Sequence, residues 1–282
     1  MSQNTIAEQV QHVTCRVRTN VGSGTGFIYN MKVDQNTRCL MLVTNKHVID
    51  GSTITFFRMT TCNVDGTPNF GKYVDFQIST VAWIGHPTLG IDLAMLPISG
   101  LIDQAIESGR KPFFKPISED LIADESYLMN MDAIEDIIMI GYPNGIFDEA
   151  NNLPVIRRGI TASRIGLRYE NRPEFLIDCA CFQGSSGSPV FQYDTGLQRS
   201  RDGSVSMGST PKFKFLGILW GGPTQKADGE IVAKPIETAM RSVLVTPIMM
   251  NLGFCIRASE LHAFNDIIQP EILAISPKNA ER

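Results

Sequence analysis

The stretch Gly184-Ser185-Ser186-Gly187-Ser188-Pro189-Val190-Phe191, GSSGSPVF, decides how this chain is read. Gly, Ser and Pro are the residues that tight backbone geometry selects, so the segment alone is a turn leading into an apolar strand. A sharper reading makes it a turn that exposes one hydroxyl and aims backbone N–H groups into the same space. Gly184 permits the dihedrals such a turn demands, and Gly187 leaves room for another molecule to approach. The choice between the two rests on what else the chain supplies.

The 282 residues are 43% hydrophobic and 19% charged, an ordinary globular profile with enough length for a substantial core. A formal net charge of −4 and a pI near 5.6 leave no global basic field to hold nucleic acid or an anionic membrane, so neither is expected as a partner. The opening MSQNTIAEQVQHVT has no cationic start and apolar core of a secretory signal, and no apolar run of about 18 residues offers a membrane span. The expectation is a cytoplasmic chain. Of the cysteines, only Cys179 and Cys181 lie close together, without the spacing of a metal knuckle, so buried free thiols are expected rather than zinc or disulfides. No metal and no cofactor is called for.

Outward from GSSGSPVF, the pattern is one of short β-branched and apolar runs cut by Gly and Pro. VTCRVRT (13–19), GTGFIYN (24–30), CLMLVTN (39–45), STITFFRM (52–59), VDFQISTVAWI (74–84) and LAMLPI (93–98) form an early set. DIIMIGYP (136–143), VIRRGITASRIG (155–166), EFLIDCACF (174–182), SPVFQY (188–193), KFKFLGILWGG (212–222) and LGFCIRA (252–258) form a later one. Many short strands with frequent turns predict an all-β barrel or sandwich. Helix is expected only at TIAEQVQ near the start, at LIDQAIES (101–108) and from Ala258 to about Ile268. Residues 112–133 read as a connecting segment, and 194–210, polar and glycine-rich, as a surface loop.

Two further residues give the serine turn its sharper reading. His47 lies where LVTNKHVID leaves its strand and can present an imidazole to a cleft; a structural histidine is the plainer alternative. Asp92, in HPTLGIDLAMLPI, is flanked by core-forming residues, so its carboxylate needs a partner, and an imidazole N–H is a suitable one. A turn-capping aspartate is the plainer alternative there. Together they give His47, Asp92 and Ser186 in that chain order, whereas α/β-hydrolases run Ser, Asp, His and subtilisins run Asp, His, Ser. The hydrolase elbow G-x-S-x-G fails as well, because Ser188 stands where its last glycine would be.

At these residues the chain resembles the chymotrypsin/trypsin-like serine protease superfamily, the PA clan. The likeness runs from about residue 10 to 262 through GSGTGFIY (22–29), LVTNKHV, GIDLAMLP and GSSGSP, then IGYPNG (140–145), RGITASRIG, LGILWGG (216–222) and LGFCIRASEL (252–261). It is nearest to bacterial-type trypsin-like peptidases such as the protease domain of high-temperature-requirement enzymes, because Val48 rather than cysteine follows His47; no PDZ-sized segment follows the barrels.

The resemblance implies two packed six-stranded antiparallel β-barrels, the first over residues 10–111 and the second over 134–258, with a C-terminal helix and tail over 259–282 in a single domain. It implies a bacterial serine endopeptidase, cytoplasmic in the absence of a leader, acting on polypeptide substrates. Ser186 is implied as nucleophile, His47 as its base and Asp92 as the group that orients the imidazole, with the amides of Gly184 and Ser186 as an oxyanion hole. Leu219, Trp220 and Gly221 are implied as the strand along which substrate pairs, and Ala180, six residues before Ser186, as the uncharged floor of the main specificity pocket. Ser185 replaces the aspartate that precedes the nucleophile in zymogen-activated members, and no Ile-Val-Gly-Gly start is present, so activation by cleavage is not expected. Other readings of the same residues are a protease-like binding module without turnover and an esterase on the same scaffold.

Overall fold

A computed structural model of the chain describes residues 5–35, 37–194, 197–199, 205–207, 212–230 and 243–275. The early runs fold into one eight-stranded sheet made of β1 (Thr14–Thr19), β2 (Ser23–Lys32), β3 (Arg38–Thr44), β4 (Ile54–Cys62), β5 (Pro68–Ser79), β6 (Ile84–Gly85), β7 (Ala94–Pro97) and β8 (Ile117–Ser118). Its order is β5-β4-β1-β2-β3-β7-β6, with β8 pairing in parallel on β2.

The later runs build β9 (Asp136–Gly141), β10 (Val155–Thr161), β11 (Glu174–Asp178), β12 (Pro189–Asp194), β13 (Leu197–Arg199), β14 (Val205–Met207), β15 (Lys212–Gly221), β16 (Thr224–Glu230), β17 (Val243–Met249) and β18 (Leu252–Arg257). Six of them close a barrel in the order β10-β11-β18-β15-β12-β9. The fold is thus all-β, as the strand pattern predicts, and chymotrypsin-like, as the resemblance implies. The second half has the expected six barrel strands. The first half has eight, because the run at 74–84 divides and the connecting segment contributes β8.

Several element boundaries depart from the sequence reading. In VDFQISTVAWI the strand stops at Ser79, where Trp83 N–H donates to the Thr80 carbonyl and winds Thr80–Ala82 into a 3-10 turn before β6. EFLIDCACF remains in the sheet only to Asp178, and VIRRGITASRIG only to Thr161. Within 194–210, Asp194 ends β12, while β13 and β14 pair antiparallel, and the other residues of that stretch lie outside the described ones.

Helix is sparse, as expected. α1 (Ile6–Gln9) opens on a reciprocal cap between Thr5 and Glu8, α2 (Lys46–Ile49) follows β3, and α3 (Ser99–Glu107) buries Ile102 and Ala105. α4 (Glu125–Asn130) lies in the connecting segment, capped by the Asp124 carboxylate accepting from Tyr127 N–H. At the end, a 3-10 turn over Ala258–Phe264 leads into α5 (Asn265–Ile275). The connecting segment is tied down: the buried guanidinium of Arg257 donates to both oxygens of Glu125 at 3.0 Å and to the Ile165 carbonyl at 2.8 Å. No helix among the described residues is long and apolar enough to cross a membrane.

Three apolar clusters hold the molecule. One fills the first sheet around Val17, Leu42 and Phe57, and one fills the second barrel around Phe175, Ile177 and Leu216. The third is shared between the halves, with Phe27, Met41 and Val43 of the first packing on Ile138, Phe191 and Phe215 of the second. The rings of Phe27 and Phe215 meet edge to face with centroids 5.4 Å apart. Burying such side chains stabilises by about 1.5–3 kcal/mol each, so this shared core fixes the relative position of the two halves. Everything at their junction inherits that placement.

Candidate active site

His47 stands on α2, the single helical turn after β3, and its neighbours Val48 and Ile49 are buried. Asp92 lies in the loop between β6 and β7, held outward because Ile91 and Leu93 on either side are buried. The two meet. The Asp92 carboxylate accepts from the His47 backbone N–H at 3.1 Å through Oδ1 and lies 2.5 Å from His47 Nδ1 through Oδ2. Both carboxylate oxygens are therefore engaged by one residue, which fixes the ring orientation and leaves Nε2 facing away from Asp92. Buried Asn45 ties the Asp92 main chain into place by donating from Nδ2 to its carbonyl at 2.7 Å.

The serine loop, 182–188, arrives from the second half. Ser185 N–H donates to the Phe182 carbonyl at 2.9 Å, closing a four-residue turn whose third residue, Gly184, has φ +86°. A positive φ at that position is what a type II turn requires. The Gln183 carbonyl accepts from Asn144 N–H at 2.5 Å, and because N–H and C=O of a trans peptide point opposite ways, the Gly184 N–H faces away from Asn144. Among the described residues, the amides of Gly184 and Ser186 donate to no protein acceptor. Ser185 is buried and its hydroxyl accepts from Phe182 N–H at 3.4 Å, so the loop is closed locally without a charged group.

Thr25, on β2, joins the loop to the first half. Its N–H donates to the Ser186 carbonyl at 2.8 Å, and its hydroxyl donates to the Gly184 carbonyl at 3.0 Å. The same oxygen accepts from Tyr142 N–H at 3.1 Å and lies 3.3 Å from Ser188 Oγ. Next to it, a Cβ on Gly24 would meet Val48 at 2.7 Å on one side and the Ser186 carbonyl at 3.1 Å on the other. Gly24 is therefore the spacer between the helix of His47 and the loop of Ser186. The Ser186 hydroxyl itself is turned to the Trp220 carbonyl at 3.5 Å, a long contact, rather than to His47.

The remaining predicted positions lie around this centre. Leu219 is buried and engaged by the serine loop through both backbone groups, accepting from Gly187 N–H at 2.8 Å and donating to the Ser188 carbonyl at 2.9 Å. The ladder between β12 and β15 begins at Pro189 and Ile218, so among the described residues β12 does not pair with β15 from Trp220 onward. Trp220 stacks on Phe254 at 5.7 Å. Ala180 is half-buried and its carbonyl accepts from Arg157 Nη1 at 2.6 Å, with that guanidinium 4.7 Å above the Phe182 ring. Arg157 was not anticipated beside Ala180.

The cysteines offer no competing chemistry. All six are free thiols and five are buried; burial pushes Cys15 and Cys181 up to about 12 and raises Cys179 and Cys255. No group of three or more metal-ligating side chains occurs among the described residues. Three positioning residues escaped the sequence reading: Thr25, Asn45 and Asn144. Only Asn144 carried a signal, as the Asn-Gly turn of IGYPNG.

A closed β-barrel packed on a second, mainly antiparallel sheet, with the serine loop, imidazole and carboxylate at their junction, defines the chymotrypsin-like class of fold. Within it, residues 24–197 match the family model of the trypsin-like peptidase domain, and the chain belongs to that family. The matched segment contains His47, Asp92 and Ser186. A comparison with curated proteins finds no match. Among solved structures, the chain is similar to the inactive form of the Rv3671c protease of M. tuberculosis, at 16% identity, a TM-score of 0.45, and coverage of 93% of this chain and 91% of that one. It is also similar to the scabies mite inactivated protease paralogue S-I1, at 14% identity, a TM-score of 0.42, and coverage of 95% and 98%.

Proposed function

We propose that this chain is a serine endopeptidase working through an acyl-enzyme, with Ser186 as nucleophile, His47 as general base and acid, and Asp92 as the group that orients the imidazole. The observation that carries this reading is the pairing of an imidazole fixed by both oxygens of Asp92 with two undonated amides on the serine loop, at Gly184 and Ser186.

In this reading the Ser186 side chain rotates away from Trp220, and its Oγ hydrogen-bonds to His47 Nε2. The Oγ then attacks the peptide carbonyl, its proton passes to Nε2, and the carbonyl oxygen becomes an oxyanion on the two amides. As the C–N bond breaks, Nε2 returns that proton to the departing amine, leaving an ester on Ser186. A water attacks the ester, gives its proton to Nε2, and the C–Oγ bond breaks to release the acid and restore the serine hydroxyl. Throughout, Asp92 stabilises the imidazolium and holds the tautomer.

Substrate residues before the scissile bond add as a strand along β15 at Trp220 and Gly221, with Leu219 holding the strand end in place. Ala180 brings no charge to the main pocket, and the nearby Arg157 is already engaged by the Ala180 carbonyl and the Phe182 ring, so small or medium apolar residues are preferred there. The whole chain acts as one peptidase domain, with residues 112–133 joining halves at 10–111 and 134–258. Local closure of the loop through Ser185 fits an enzyme that needs no activating cut.

The contact of Ser186 Oγ with the Trp220 carbonyl favours a second reading, a protease-like binding module or latent enzyme. A fluorophosphonate probe separates the two: labelling of the wild type that vanishes in Ser186→Ala supports turnover chemistry, and no labelling of the folded protein overturns it. A peptide-library digest with the same control then distinguishes a peptidase from an esterase.

A further inference from the structure

One cleft next to the serine loop has a chemistry that the chain as a whole lacks. It has a volume of about 490 Å³, within the range of ligand sites, and runs from Gln183 and Gly184 to the tip of the β1–β2 hairpin at Gly22 and Ser23. Arg16 and Arg18 line it from β1. Being two apart on a strand they point to the same face, and neither forms a salt bridge among the described residues. In a protein of net charge −4, this is a local concentration of unneutralised positive charge.

The wall carrying these charges is built rather than loose. The Arg16 guanidinium lies 5.5 Å over the Phe147 ring, and a Cβ on Gly145 would meet its Nη2 at 2.7 Å. Gly145, at φ +70°, thus leaves the space the guanidinium occupies. Among the described residues, the buried Arg16 Nε has no hydrogen-bond partner. The hairpin tip is braced by the Thr19 hydroxyl, which accepts from the N–H groups of Val21 and Gly22 at 3.2 and 3.0 Å. A second cleft of about 280 Å³ continues past Arg16 and Arg18 to Glu149 and to Arg58, the latter neutralised by Asp75.

The place of the cleft assigns its occupant. If Ser186 attacks a carbonyl whose oxygen sits on the amides of Gly184 and Ser186, and the residues before the bond lie along Trp220 and Gly221, the residues after it leave over Gly184. That is where this cleft begins, and no residue of β15 lines it. We infer that Arg16 and Arg18 form a leaving-side subsite that selects a carboxylate on the first or second residue after the scissile bond. The inference rests on the proposed endopeptidase reading of Ser186. Guanidinium forks match carboxylates in geometry as well as charge, and an arginine stays charged at any working pH. The carboxylate is an Asp or Glu side chain or the terminal carboxylate of a short substrate.

The test uses fluorogenic peptides with one fixed sequence before the cleaved bond, differing only by Asp against Asn, or Glu against Gln, at the first and second positions after it. Each is made with a free and an amidated C-terminus. The wild type is expected to show kcat/KM roughly tenfold or more in favour of the acidic member, the size of effect of a charge-assisted hydrogen bond. That ratio falls toward one in Arg16→Gln and Arg18→Gln. Arg18→Glu is expected to invert the preference toward lysine, a result that misfolding cannot produce. A preference confined to free C-termini identifies the terminal carboxylate as the group bound. Equal cleavage of acidic and neutral peptides by protein that labels with fluorophosphonate at Ser186 overturns the subsite and leaves the endopeptidase reading intact. Absence of both labelling and cleavage overturns the reading and the subsite with it.

Discussion

The backbone N–H of Thr25 donates to the carbonyl oxygen of Ser186 at 2.8 Å, joining a strand of the first half to the loop that carries the proposed nucleophile in the second. The Thr25 side chain is fully buried, and its hydroxyl reaches Gly184 and Tyr142 as well. One residue thereby fixes the loop on both sides of Ser185. The catalytic proposal depends on this joint as much as on the three side chains named for the chemistry.

Thr25→Val keeps the shape of the side chain and removes its hydroxyl, leaving the Tyr142 N–H and the Gly184 carbonyl without that partner in a buried site. Unfolding free energy is expected to fall by about 1–3 kcal/mol, the usual cost of such orphaned groups. Fluorophosphonate labelling should slow by more than the loss of folded protein accounts for, because Gly184 carries one of the proposed oxyanion amides. Thr25→Ser, which keeps the oxygen, should recover most of both. Urea titrations alongside labelling rates decide it, and a Val variant that labels at the wild-type rate removes Thr25 from the positioning role.

Asp92→Asn preserves size and the acceptor for the His47 backbone N–H, but presents an amide N–H where Oδ2 met Nδ1. The imidazole must then carry its proton on Nε2, the atom proposed to accept one from Ser186. The expected outcome is a drop in kcat of about four orders of magnitude with little change in melting temperature. Steady-state kinetics at saturating peptide, paired with thermal melts, test this; activity within tenfold of wild type would place the proton-accepting group elsewhere.

Much of this arrangement was legible along the chain because its signals are local. Strand-length apolar runs, the buried flanks of Asp92 and the glycine-serine turn each lie within a dozen residues. What escaped is tertiary or against propensity. Every bond Thr25 makes to the serine loop crosses more than 150 residues, so nothing adjacent to it in GSGTGF reveals the role. The pair β16 and β17 escaped because TQKADGE has no apolar alternation; its strand geometry comes from register with VLVTPIM. Conversely, Thr80 and Val81 have strand-forming side chains, yet a local 3-10 bond turns the chain there.

Gly184→Ala tests the turn itself. A Cβ at this position would lie 2.6 Å from the Tyr142 carbonyl oxygen, and φ +86° is costly for any side chain. Rotation of the 183–184 peptide relieves both and swings the Gly184 N–H out of the proposed oxyanion site. Loss of one such donor lowers kcat by about a hundred- to a thousandfold. KM for a peptide anchored along Trp220 and Gly221 should change far less. A variant whose defect is wholly in KM would show that the amide does not face the reacting carbonyl.

A pH dependence of stability follows from His12, outside the site. Its ring sits edge-on to Phe113 with centroids 4.7 Å apart, and burial, with the charge of Lys115 adding to it, pulls its pKa from 6.5 down to about 4. Because the unfolded chain takes up this proton near pH 6.5 and the folded chain only near 4, the unfolded state binds more protons between those values. The contribution is therefore fully present above about pH 6.5 and declines as pH falls toward 4, below which this residue adds no further slope. His12→Phe keeps a ring against Phe113 and abolishes the titration. Across urea midpoints at pH 7, 6, 5 and 4 the wild type should lose stability relative to the variant as the solution is acidified, its slope steeper by less than about 1.4 kcal/mol per pH unit, since the ring is partly exposed. Parallel curves across that window would show that the imidazole is protonated equally in both states, and that the packing against Phe113 does not exclude its charge.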